Sequence, residues 1–366
     1  MRKNLDAICD HPEEVARKYK DQGRSVMGYL CTYTPEETLY AAGFIPVRLR
    51  GHTETISLGN DYLPSYTCSY IRSVLDQGLA GKWNCLAGFV APHTCDTVFN
   101  SFQVWQRNVP TPYTYLIRFP HVSGPAALEF LIEEFKNIIH SLEVFTGREI
   151  TNEQLNEAIE VYNEKRRLLK EVDLARSENP PRLRSTEAMQ LTLASMYLDV
   201  VEANQLLRQY LEDNGNNTNN FQRKRLHLSG SCLVDHRWVT LIEECGGQVV
   251  SDDLCTGSRY YWQEVKTGKN PLEALAERYI NKIPCFCVHP TQRRFDLIKK
   301  LVLERQVEGV VILLQKFCDT YLFEYPAIKE MLDELGVSSL FIEVEQGMSS
   351  TGQVKTRIEA FIESLK

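Results

Sequence analysis

Read for its alternation of apolar and polar positions, the chain falls into three stretches. In the first, short β-rich runs alternate with helical patterns. SVMGYLC (25–31), FIPVRLR (44–50), CLAGFV (85–90) and YTYLIRF (113–119) predict strands. Between the first two lies TYTPEETLYAAGF, whose Thr34-x-x-Glu37 spells a capping box with Pro35 at the first helical position. Helical material around NSFQVWQRN separates the last two. From about Gly124 to Leu211 the period becomes helical throughout, as in NEQLNEAIEVYNEKRRLLKEV. The polar run LEDNGNNTNNFQRKR then predicts a flexible connection. Beyond it, RLHLSGS (225–231), GQVVSDD (247–253), PCFCVH (284–289), GVVILLQ (309–315) and SLFIEVE (339–345) predict a second set of strands, and a helix from about Gln353 to Leu365 closes the chain. Strands alternating with helices argue for parallel sheets. The expected fold is α/β: two doubly wound parallel-sheet domains of flavodoxin or Rossmann-like type, 1–123 and 223–366, joined by a helical segment and linker at 124–222.

Composition narrows the class of protein. Hydrophobic content of 43% and charged content of 24% are those of a water-soluble globular chain. With 41 basic against 48 acidic residues the net charge is −7, so no general basic face invites nucleic acid. The amino terminus, MRKNLDAICDHPEEVARKYK, is charged throughout and lacks the apolar segment of a signal peptide. No apolar run approaches the roughly 18 residues of a membrane span. A cytoplasmic location is expected, without membrane or nucleic-acid partners. In that reducing setting eleven cysteines, an odd number, do not read as a disulfide framework. Metal binding or redox chemistry is the expected use of several, and inert packing that of the rest.

Their positions sort them. Parallel α/β sheets bind ligands beyond the carboxyl ends of their strands. In LAGFVAPHTCDTVFN (86–100) the apolar run breaks at Pro92 and delivers Cys95 just past its end. Cys31, Cys255 and Cys318 also follow predicted strands, and Cys68 in PSYTCSYIRS sits in a connection that opens a helix. Cys9, Cys85 and Cys245 lie in amphipathic or apolar stretches and read as packed. Cys232 in SGSCLVD could open a helix, where a thiolate is favoured, but packing is its plainer use; Cys31 suits either role. There is no Cys-x-x-Cys pair, which removes the standard zinc knuckle and the ferredoxin-type run. On a strand, Cys285, Cys287 and His289 would share one face and offer part of a metal site.

At these residues the chain resembles the 2-hydroxyacyl-CoA dehydratase and benzoyl-CoA reductase family. The resemblance spans nearly its whole length: YTPEETLYAAGFIPVRL, YTCSYIRS, PHTCDT, IEVYNEKRRL, VSDDLCTGSRYYW, KFCDTYLFEYP and GQVKTRIEAF, in that order. It implies a [4Fe–4S] cluster on three dispersed cysteines, here Cys68, Cys95 and Cys318, in the cleft between two domains, with one iron free of cysteine. It further implies an acyl-CoA or aroyl-CoA substrate and an ATP-dependent iron–sulfur activator that injects one low-potential electron. The electron reaches the thioester carbonyl, forming a ketyl radical that expels a neighbouring hydroxyl, or serves ring reduction. Glu36, in the family's PEE motif, is the candidate for proton handling; Glu37 is accounted for by the capping box. Ser69 and Thr97 would cap helices or donate to cluster sulfur. Arg48, Arg50 and Arg72 would bind CoA phosphates or pair with acids.

Two features leave alternatives open. Enzymes of this type pair two related subunits, and the PHTCDTVFN form is closer to the smaller one, so this chain could be an electron-relay subunit that does not bind substrate. Cys255, Cys285 and Cys287 resemble elements of homodimeric double-cubane proteins, in which six cysteines hold an [8Fe–9S] cluster that reduces small molecules. A binding module with structural zinc or packed cysteines would share the cysteine count but not the order of the motifs.

Overall fold

The computed structural model describes residues 2–51, 54–215, 223–348 and 351–365. It contains two four-stranded, all-parallel sheets. The first has the order β2-β1-β3-β4, from β1 (Val26–Tyr29), β2 (Ile45–Arg48), β3 (Gly88–Pro92) and β4 (Tyr113–Ile117). The second repeats that order as β6-β5-β7-β8, from β5 (Lys224–Gly230), β6 (Gly247–Asp252), β7 (Gly309–Gln315) and β8 (Ser338–Val344). The doubly wound α/β expectation holds for both. Helices cover both faces of a parallel sheet, so its inner strands read as unbroken apolar runs, and every residue of β1, β3 and β7 is buried. β2 is an edge strand, which is why it tolerates Pro46 opposite Met27.

The helical middle comprises Pro125–Thr146, Asn152–Ser177, Ser185–Ala194 and Val200–Asp213. Thr151 and Gln154 form a true capping box, each side chain accepting the other's backbone N–H. The long helix that follows ties the two halves together. Lys165 and Arg166 pair with Glu36 and Glu37 of the first half. Asn163 donates to Val265 O at 2.8 Å, and Arg176 pairs with Asp252 of the second half. The hydrophobic cores also mix chain segments. Leu5 and Cys9 pack with residues of the second sheet, and the helix Pro271–Asn281 packs with the first. Among the described residues no helix is long and apolar enough to cross a membrane.

Two local expectations give way. Residues 284–289 form turns with one isolated bridge between His289 and Val122, not a strand. Pro284 and Pro290 bracket the segment and lack the N–H groups a ladder requires, while Cys285 N donates to the Tyr33 hydroxyl at 3.0 Å. Cys285, Cys287 and His289 therefore share no strand face. The capping box at Thr34 is also absent. The helix runs Glu36–Ala41 behind Pro35. Thr34 donates back to Leu30 O at 2.7 Å, and the Glu37 carboxylate is taken by Arg166 and by the Tyr279 hydroxyl at 2.8 Å.

Candidate functional site

The carboxyl ends of both sheets border one cavity of about 180 Å³, and eight cysteines line it. Cys31 follows β1, with the left-handed φ of 63° that lets the chain turn sharply there. Cys68 precedes the helix Ser69–Leu79, and Cys95 precedes Asp96–Asn108 after β3. In the second half Cys232 follows β5, Cys255 follows β6, and Cys318 follows β7 ahead of the short helix Asp319–Leu322. Cys285 and Cys287 enter from the turn. Gly257 keeps the Cys255 loop tight, since a Cβ there would collide with Asp252. Asp252 in turn accepts from Leu254 N at 3.0 Å and Ser258 N at 2.8 Å.

Cys68, Cys95 and Cys318 occupy N-cap positions, yet none makes a side-chain cap to its own helix. Serine, threonine, aspartate or asparagine would serve better as caps. The thiols are instead free to border the cavity, and the two longer helices aim positive ends at theirs, which favours bound negative charge.

Burial pushes all three thiols upward, Cys95 to about 12, and neighbouring cysteines add to the shift of Cys95 and Cys318. Cys31 is raised in the same way. Two cysteines behave oppositely. The hydrogen bond from Cys232, helped by Arg48 and Arg259, outweighs burial and brings Cys255 down to about 5. Cys285 is held well below the usual thiol range by Cys287, then by Arg259 and by the Tyr321 hydroxyl, which lies 3.3 Å away. The pairs Cys232–Cys255 and Cys285–Cys287 thus each favour one thiolate. Smaller contacts complete the wall: Thr94 donates to Cys31 Sγ at 3.7 Å, and Thr320 Oγ1 lies 3.6 Å from Cys318 Sγ.

Among the described residues no three His, Cys, Asp or Glu side chains close on a point that would hold a single metal ion. The sulfurs ring a space instead. That donor set fits a multi-iron cluster, whose thiolate ligands sit around a body rather than a point. Desolvated thiols that are costly to ionise alone are deprotonated by a bound metal.

The other predicted residues lie elsewhere or play different parts. Glu36 is buried away from the cavity lining, where it accepts from Lys165 Nζ at 3.3 Å and the Tyr260 hydroxyl at 2.9 Å. Burial lifts the Glu37 carboxyl, but Arg166 and Arg278 more than reverse this and hold it at about 2. Ser69 does not cap its helix; it donates to Gln315 Oε1 at 3.0 Å and accepts from Gln346 N at 2.9 Å. Thr97 lines the cavity. Arg50 is buried against Cys9 O and Asp10, and Arg72 donates to Thr67 O and Asn60. Arg48 reaches the cavity wall, donating to Cys232 and Cys255. Cys9, Cys85 and Cys245 lie outside the cavity lining. The sequence made packing the plainer use of Cys232 and left Arg48 undecided, and the structure puts both on the cavity wall. Both follow the strand-end rule, which was the available signal.

Comparison with known proteins gives the family. The profile of the family described as 2-hydroxyglutaryl-CoA dehydratase, D-component, matches residues 31–365. The (R)-phenyllactyl-CoA dehydratase beta subunit of Clostridium sporogenes is 28% identical, over 98% of this chain and 96% of its own. The beta subunit of lactoyl-CoA dehydratase from Anaerotignum propionicum is 27% identical over 99% and 97%. The C subunit of benzoyl-CoA reductase from Thauera aromatica is 26% identical over 96% and 94%. The chain belongs to the 2-hydroxyglutaryl-CoA dehydratase D-component family, and it is an enzyme subunit of the 2-hydroxyacyl-CoA dehydratase and benzoyl-CoA reductase type.

Proposed function

We propose that this chain is the iron–sulfur subunit of an enzyme acting on a CoA thioester, with a [4Fe–4S] cluster held by Cys68, Cys95 and Cys318. One observation carries the reading: these three motif cysteines, from both halves of the chain, border the same cavity without being used as helix caps. Bound there, the cluster supplies single electrons of low potential. The chain's own groups keep the sulfurs out of water and fix their orientation. Residues 1–123 and 223–366 both line the cavity, and 124–222 clamps them. Relatives named as beta or C subunits support a partner subunit, which would carry the acyl-CoA or aroyl-CoA while this chain relays the electron from an ATP-dependent activator.

A second reading has its own observation. Cys255, Cys285 and Cys287 line the same cavity, so six cysteines are available for an [8Fe–9S] double cubane in a homodimer that reduces small molecules. Iron and acid-labile sulfide per chain, in protein purified without oxygen, separate the two: about four irons for the single cubane and about eight for the double. Zinc or no metal in protected protein overturns both.

A further inference from the structure

Arg48 ends β2 and is only 1% exposed. Its Nη2 donates to Cys232 Sγ at 3.3 Å and to Cys255 Sγ at 3.6 Å. Nη1 donates to Cys255 O at 3.3 Å and lies 3.6 Å from Met196 Sδ, and Nε has no partner. Among the described residues no carboxylate pairs with this guanidinium. Three other buried arginines are neutralised by acids: Arg166 by Glu37, Arg176 by Asp173 and Asp252, and Arg294 by Asp253 at 2.6 Å. Arg259 and Arg278 are held by backbone carbonyls, and Arg48 differs from all five in donating to sulfur.

A guanidinium does not lose its proton in a protein, and a buried, uncompensated one is costly. Its counter-charge has to come from what it touches, and apart from one backbone carbonyl and the Tyr70 hydroxyl it touches sulfur. Arg259, also buried and directed by Asp253 O and Gly230 O, adds a second cation beside Cys255 and Cys285. This wall of the cavity is built for a negatively charged, sulfur-bound occupant. The wall of Cys68, Cys95 and Cys318 has no arginine hydrogen-bonded to sulfur among the described residues.

We infer that Arg48 is a positioning residue for the cavity's iron–sulfur group: by donating to the Cys232 and Cys255 sulfurs it orients that wall, and its charge at the cavity raises the reduction potential of the group the cavity holds. The inference rests on the proposed iron–sulfur reading. Potentials of such clusters follow net charge and hydrogen bonds to sulfur. A cation donating to sulfur favours the more negative, reduced state, so its removal lowers the potential.

The test compares anaerobically purified wild type with Arg48→Met and Arg48→Lys. Iron and sulfide per chain are measured first, and the midpoint potential is then read by dye-mediated titration followed by electron paramagnetic resonance. The expected result is a lower potential in Arg48→Met and a smaller drop in Arg48→Lys, which keeps the charge but loses the planar fork. Unchanged potentials at wild-type iron content overturn the inference and leave the iron–sulfur reading standing. Wild type without iron overturns that reading instead. Should Arg48→Met not fold, Arg48→Lys decides alone: a wild-type potential sinks the proposal and a lowered one supports it.

Discussion

Two buried polar regions of this protein use charge in opposite ways. Around the long helix, Glu36, Glu37, Lys165 and Arg166 form a joint between the halves in which each carboxylate already has a cation and a tyrosine hydroxyl. Around the cavity, Arg48 faces thiols and, among the described residues, no carboxylate, and the motif cysteines lie at helix starts without capping them. The joint is complete as it stands, so nothing further need bind there. At the cavity the groups facing the arginines are thiols, two of which the site favours as thiolates. Both regions are buried and both contain charged residues, so burial alone does not mark a site. What marks it is whether the partner of the buried cation is itself a group that ligates metal.

The largest expected effect breaks the cavity side of this comparison. Serine at Cys68, Cys95 or Cys318 should each remove most of the iron from the purified chain, whereas Cys85→Ser, outside the cavity, should leave iron near the wild-type value. Iron analysis with the visible absorption spectrum checks this. Retention of full iron by any of the three would remove that residue from the ligand set.

The next effect breaks the joint. Arg166→Met leaves Glu37 buried without its principal cation and should cost about 3–5 kcal/mol of stability. Iron per folded chain should stay near wild type. The acid side gives a further check. The folded Glu37 carboxyl is at about 2, below its ordinary 4.5. The stability it contributes is therefore present above about 4.5 and lost as the pH falls toward about 2. The gap in urea midpoint between wild type and variant should accordingly be widest at neutral pH and should narrow below about 4.5. A gap independent of pH would mean that the ion pair is not what the substitution removed.

Much of this could be read along the chain because parallel strands covered on both faces are apolar at every position. β7, GVVILLQ, is the clearest case. PCFCVH has the same texture over six residues, and only its flanking prolines, with a tyrosine hydroxyl that takes the Cys285 N–H, make it a turn. Thr34 and Glu37 have capping-box spacing, but their chemistry is taken by Leu30 O and Arg166, and Arg166 lies 129 residues from Glu37. The places of Cys95 and Cys318 were legible through the strand-end rule, and that of Cys68 through the family resemblance. Cys232 also follows a strand, but its character depends on Arg48, 184 residues away. Local sequence carries position well and carries long-range partners poorly.

The smallest effect concerns the seam where cavity and fold meet. Ser69 follows Cys68, is buried, and has Gln315 and Gln346 as partners rather than its own helix. Gln315 also links to Ser231 and Cys232, through its backbone N–H to Ser231 Oγ at 3.2 Å and its side-chain amide to Cys232 O at 3.4 Å. Ser69 therefore couples the Cys68 helix of the first half to the end of β7 in the second. Ser69→Ala leaves the Gln346 N–H without an acceptor and should cost about 1–3 kcal/mol. That is less than the joint variant because no charge is exposed. Because the lost contacts bridge the two walls, iron should be complete on purification but should leave faster to a chelator than from wild type. A helix cap would behave differently: its loss would lower stability by a similar amount while leaving the rate of iron release unchanged. Comparing the two rates therefore shows whether the seam holds the cavity together or only the helix.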